Sequence, residues 1–143
     1  MSGTVIVGVD GSDTSFKAAT RAVAIAVGLG ADLSVVTAYA KDSTEVIRSG
    51  GDTFILDDAE QAQKLAENIA TRLREVEPGV KVHASAVKGK PQEVLVDVAT
   101  RSGAQLIVVG NVGMKGLGRV LGSVASSVAH SASCDVYIVK TAQ

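Results

Sequence analysis

Between the apolar run Leu106-Ile-Val-Val109 and a helix-like stretch beginning at Ser123, the sequence places Gly110, Gly113, Gly116, Gly118 and Gly122. A glycine-rich link from strand to helix is suited to holding phosphate. Glycine lets the backbone approach a ligand closely, and the free N–H groups at the start of the next helix face any anion placed there. Gly122 and Ser123 at that start, with Ser126 and Ser127 one turn on, offer backbone and hydroxyl donors, and Lys115 and Arg119 carry charge within the loop. A second polar element, Asp10-Gly11-Ser12, ends the run Thr4-Val-Ile-Val-Gly-Val9. A carboxylate fixed at a strand terminus accepts hydrogen bonds from ribose hydroxyls or helps hold a magnesium ion, and the same residue type caps helices. Ser123 has the same double reading, as a helix cap, a phosphate ligand or both. Nucleotide binding is the chemistry these residues point to.

What is missing narrows that chemistry. The glycine loop has no GKS or GKT ending, so the lysine and magnesium-bound hydroxyl of a Walker A motif are not arranged here. Gly116-Leu-Gly118 is a weak dinucleotide fingerprint and follows the fourth strand, not the first. No Ser/His/acid set stands out. His83 falls on the polar face of a strand and reads as solvated, and His130 suits the C-terminal end of its helix through the helix dipole. Cys134 stands alone, which excludes an internal disulfide, and it reads as a small, partly buried residue.

These residues need elements to position them. Continuous β-branched character at Thr4–Val9 suits a strand covered on both faces. Ser12 or Asp13 caps a helix running to about Val27 through Phe16, Ala19, Val23 and Ala26, closed by Gly28 to Gly30. Leu33 to Ala38 is the second strand. After a polar, glycine-containing stretch from Lys41 to Asp52, a long helix is expected to carry Ile55, Ala59, Ala62, Leu65, Ala66, Ile69, Leu73 and Val76, ended by Pro78-Gly79. Val80, Val82, Ala84 and Ala86 alternate with polar residues, the pattern of a strand near a sheet edge. Pro91 opens a third helix, where its missing N–H costs nothing. Leu106–Val109, a helix from Ser123 to His130 and a strand from Asp135 to Val139 complete the series.

Five strands alternating with four helices predict an α/β fold, a single doubly wound parallel sheet in the order 3-2-1-4-5 with helices on both faces. The chain reverses direction across the sheet between strands 1 and 4, opening a crevice at their carboxyl ends where Asp10 and the glycine loop meet. The 143 residues fit one domain, 1–143, long enough to bury roughly two thirds of the unfolded surface. With 14 basic and 15 acidic residues dispersed along the chain, no nucleic-acid groove is expected. No leader and no apolar run of membrane length is evident, which predicts a soluble cytoplasmic protein.

Val9-Asp10-Gly-Ser, Val109-Gly110-Asn-Val-Gly113, Leu121-Gly122-Ser123-Val124 and the closing Cys134-Asp-Val-Tyr-Ile-Val together resemble the universal stress protein family, over nearly the whole chain. Its ATP-binding members carry GxxG, about nine further residues, then G followed by S or T; this chain departs from that pattern, with eight residues between Gly113 and Gly122. The resemblance implies a Rossmann-like, adenine nucleotide alpha hydrolase-like domain. It implies Asp10 near ribose or a bound Mg2+, backbone at Ala38 facing adenine, and Gly110, Gly113, Gly122 and Ser123 on the phosphates of ATP. Val109 and Val124 would line the pocket, and Ser127 matches the position that follows. Cyclic AMP is the alternative ligand, in the same pocket with fewer phosphate contacts. Family members commonly form homodimers through the last strand, and Val136-Tyr-Ile-Val139 is an apolar edge open to such pairing. The expected role is a stress-response regulator, with no dedicated catalytic base and at most slow ATP hydrolysis. A nucleotide-independent stress protein is one alternative. An adenylating enzyme is disfavoured because no substrate domain fits, and a phosphoacceptor receiver because Val87-Lys88 stands where strand 3 would need aspartate.

Overall fold

The computed structural model describes residues 3–40, 44–49, 52–111 and 121–141. In chain order the elements are β1 (Thr4–Gly8), α1 (Asp13–Leu29), β2 (Asp32–Tyr39), β3 (Thr44–Ser49), β4 (Asp52–Asp57), α2 (Asp58–Val76), β5 (Val82–Lys88), α3 (Pro91–Ser102), β6 (Leu106–Gly110), α4 (Ser123–Ser131) and β7 (Asp135–Val139). Five of the strands form one sheet in the order β5-β2-β1-β6-β7, every neighbouring pair parallel. Counting only those strands, this is the order 3-2-1-4-5.

The buried strands read as apolar runs because alternate residues feed two separate cores. Val5, Val7, Leu33, Val35 and Val108 face α1 and α2, packing against Ala18, Ala22, Ala26, Ala66 and Leu73. Ile6, Val36, Ile107 and Val109 face α3 and α4, meeting Leu95, Ala99, Ala125 and Val128. Alanine dominates the inner side of α1, with Ala18, Ala19, Ala22 and Ala26 fully buried, so that helix lies close against the sheet.

One expectation is corrected. Residues 44–57 are a strand pair that precedes the helix: β3 and β4 pair antiparallel, with Val46 opposite Ile55 and Ser49 opposite Asp52, and the helix starts only at Asp58. Ile55, assigned above to the helix, belongs to β4. Both segments are rich in β-branched residues, and the local pairing outweighs the chance spacing of Ile55 from Ala59.

The β5 edge is closed by side chains from α2. Arg74 donates from Nη2 and Nε to the Val82 carbonyl (2.6 and 3.2 Å). The Gln63 amide donates to the Ala84 carbonyl (3.3 Å) and accepts from the Ala86 N–H (3.1 Å). Lys81 turns its carbonyl inward to Leu33 N–H, so by alternation Val82, Ala84 and Ala86 point outward. These side chains therefore occupy backbone groups that an edge strand otherwise leaves open.

Candidate functional site

At the carboxyl ends of β1 and β6 a cleft of about 780 Å³, its open mouth included, lies between the first turns of α1, α3 and α4. This is the crevice expected where the direction of strand order reverses. Its lining combines apolar Val36, Ala38, Val94, Leu95 and Val109 with polar Asp10, Ser12, Thr14, Ser15 and Ser123.

The first polar wall is built by a local hydrogen-bond chain. Gly11, at φ +89°, reverses the backbone after Asp10 in a conformation that favours glycine. The turn brings Asp10 Oδ1 onto the N–H of Ser12 (2.9 Å) and its hydroxyl (2.5 Å). Ser12 Oγ in turn accepts from Ser15 N–H (3.1 Å), which makes Ser12 the N-cap of α1. The Ser15 hydroxyl accepts from Asp10 N–H (3.2 Å) and donates to the Ser12 carbonyl (3.0 Å). The Asp10 carboxylate is thus aimed before any ligand arrives.

The second polar wall is the start of α4. Gly122 is its N-cap, in extended backbone (φ −62°, ψ 156°), with no side-chain cap. Its carbonyl accepts from Ser126 N–H (2.9 Å), which leaves the N–H groups of Ser123, Val124 and Ala125 without an intrahelical partner. Those residues line the cleft. The reading of Ser123 as the cap is corrected: it is the first helical residue, exposed, and its hydroxyl is uncommitted to capping.

Of the residues singled out from sequence, Asp10, Ala38, Val109, Gly110, Gly122, Ser123 and Val124 line this one cleft. Ser127 does not; it sits on the second turn of α4, beyond the end that opens on the cleft. Gly113, Lys115 and Arg119 lie outside the described residues. Sequence reading missed Thr14 and Ser15 on α1 and Pro91, Val94 and Leu95 on α3. A positional signal existed for α1, which starts just after β1 at the crevice, and not for α3, which follows the edge strand β5. No lysine or arginine is among the described lining residues, and among the described residues no cluster of three metal-ligating side chains occurs.

The remaining candidates lie elsewhere. His83 is exposed on β5, its Nε2 3.6 Å from Asp32 Oδ2, and His130 occupies the last turn of α4. Cys134 is half-buried before β7, and burial pushes its thiol pKa up, aided by the neighbouring Asp135 carboxylate and partly countered by a backbone hydrogen bond. Among the described residues no helix is long and apolar enough to cross a membrane.

Comparison with known proteins agrees with the fold and the motifs. The model of the universal stress protein family matches residues 1–140. Universal stress protein Rv1636 of Mycobacterium tuberculosis is 37% identical, covering 96% of each chain. Universal stress protein MJ0531 of Methanocaldococcus jannaschii is 32% identical over 95% of this chain and 81% of its own. A solved universal stress protein in complex with cAMP superposes with a TM-score of 0.75 at 33% identity, covering 98% of each chain. A family match over almost the full length, joined to a solved relative of the same fold, assigns this chain: it belongs to the universal stress protein family.

Proposed function

We propose that this protein is an adenine-nucleotide-binding regulator of the stress response, acting through bound ligand and not through turnover. The observation that carries the reading is the uncapped start of α4 opening onto the same cleft as the pre-aimed Asp10 carboxylate. Helix N–H groups suit a phosphate, a fixed carboxylate suits ribose hydroxyls, and the apolar lining of Val36, Ala38 and Leu95 suits a base. ATP is the first candidate ligand. A magnesium ion in such a complex would be held by Asp10 together with the ligand's phosphates, since one carboxylate is sufficient only in that arrangement.

Cyclic AMP is the second reading. The 33%-identical relative solved in complex with cAMP supports it. Two copies pairing through β7 in the cytoplasm would give a partner protein an assembly to read.

Calorimetric titration with ATP and with cyclic AMP, each with and without magnesium, tests both ligands. Absence of binding at millimolar concentrations of either would leave a nucleotide-independent member of the family. Gly122→Val is the matching variant: its φ and ψ are open to valine, so the fold is kept, while the added side chain fills the phosphate turn and abolishes binding. Release of pyrophosphate from ATP with candidate acids or amines would instead revive an adenylating enzyme.

A further inference from the structure

Asn111 does not line the cleft, yet it is joined to three separate points of the chain. Its N–H donates to the Val139 carbonyl at the end of β7 (2.8 Å), and its own carbonyl accepts from the N–H of Gly122, the N-cap of α4 (2.8 Å). Its side-chain Oδ1 accepts twice from Thr141, from the N–H (2.8 Å) and from the hydroxyl (3.2 Å). Thr141 is only 4% exposed, so those two donors depend on Asn111 in place of water. One residue therefore fixes where the ligand-facing turn begins its helix and where the chain leaves its last strand.

We propose that Asn111 is a positioning residue for the ligand cleft, fastening Gly122 and the N-terminus of α4 to the end of β7. The role rests on the reading of the cleft as a nucleotide site. Asparagine suits it chemically. A neutral amide oxygen satisfies both Thr141 donors without placing a negative charge beside the turn that receives a phosphate; aspartate would satisfy them with such a charge, and alanine would leave both unpaired.

The test compares wild type, Asn111→Ala, Asn111→Asp and Thr141→Val, titrated with ATP, cyclic AMP and uncharged adenosine, alongside amide hydrogen exchange. Asn111→Ala should weaken nucleotide binding about tenfold and speed exchange at both Gly122 and Thr141, since about one net hydrogen bond's worth of positioning is lost. Asn111→Asp should restore protection at Thr141 and adenosine binding while the charged ligands stay weak. Thr141→Val, which keeps the N–H bond, should fall between wild type and Asn111→Ala and remains informative if Asn111→Ala does not fold. Firm wild-type binding that Asn111→Ala or Thr141→Val leaves unchanged, with Gly122 protection intact, overturns the positioning role alone. No nucleotide binding by wild type overturns the functional reading and this role with it.

Discussion

Gly11 and Leu65 lie back to back: a side-chain carbon on Gly11 would stand 2.7 Å from Leu65 Cδ1, and Gly11 holds φ +89°. The turn that aims Asp10 is thus packed against α2. Gly11→Ala meets a left-handed backbone penalty and a smaller one for displacing the flexible end of Leu65, for a loss of about 1–2 kcal/mol in urea denaturation. Leu65→Ala in the same background relieves the collision and leaves the backbone penalty. A cost of Leu65→Ala that is the same in the wild-type and Gly11→Ala backgrounds would show that the contact carries no strain.

Asp10 has two duties that substitution separates. Asp10→Ala removes the acceptor for the Ser12 N–H and hydroxyl, weakening the cap of α1 by about 1 kcal/mol and abolishing nucleotide binding. Asp10→Asn keeps an oxygen at that acceptor position, so thermal stability should stay near wild type while nucleotide affinity falls. If both variants bind as wild type does, the carboxylate serves the helix cap only.

The α2 side chains that close β5 make a prediction about solubility. The double variant Gln63→Ala, Arg74→Ala leaves the Val82 and Ala84 carbonyls and the Ala86 N–H open at the sheet edge. Faster exchange at Ala86 and concentration-dependent association in light scattering are expected, with a stability loss of about 1–2 kcal/mol. A variant as monodisperse as wild type would show that the edge is guarded by other means.

Cys134 gives a pH dependence. Burial holds its thiol above the ordinary value, so the folded chain keeps its proton where the unfolded chain has lost it. The contribution to stability is therefore full below the unfolded thiol's pKa and declines as pH rises through the folded one. Alkylation by iodoacetamide at pH 8 should be slower in the folded protein than in urea, and Cys134→Ser should flatten the alkaline decline. Equal rates in the two states would contradict the shift.

The parts of the fold that were legible are those where one physical demand dominates. Val5-Ile-Val7 and Ile107-Val-Val109 must be apolar on consecutive residues because each face meets a different core, so they read as covered strands at once. Ser12 and Pro91 mark helix starts through local chemistry that needs no tertiary partner. The antiparallel pair 44–57 was hidden because Ile55 falls at helical spacing from Ala59 and the flanking residues are polar. Its signal was the Gly50-Gly51 dipeptide between two β-prone segments, the composition of a two-residue hairpin loop.

The site was legible where backbone chemistry writes itself into residue type. Asp10 and Gly122 are dictated by a strand end and a helix start, and each appears as a turn residue in an apolar context. Leu95 and Val94 were not legible, because a side chain that walls a cleft has the same composition as one that fills a core. Ser127 shows the converse: a motif position can lie in the right helix and still miss the cleft, because it sits one turn too far along.

The two margins of the five-stranded sheet differ, and the difference sets a limit on stoichiometry. Asn111 N–H reaches the Val139 carbonyl, so alternation along β7 turns the backbone groups of Val136, Ile138 and Lys140 away from β6, whereas three of the corresponding groups of β5, the Val82 and Ala84 carbonyls and the Ala86 N–H, are bonded to α2. A filament grows only when every added subunit presents a fresh margin after docking. Two copies meeting through β7 would each spend the margin not taken by α2, so strand pairing between sheets would terminate at two.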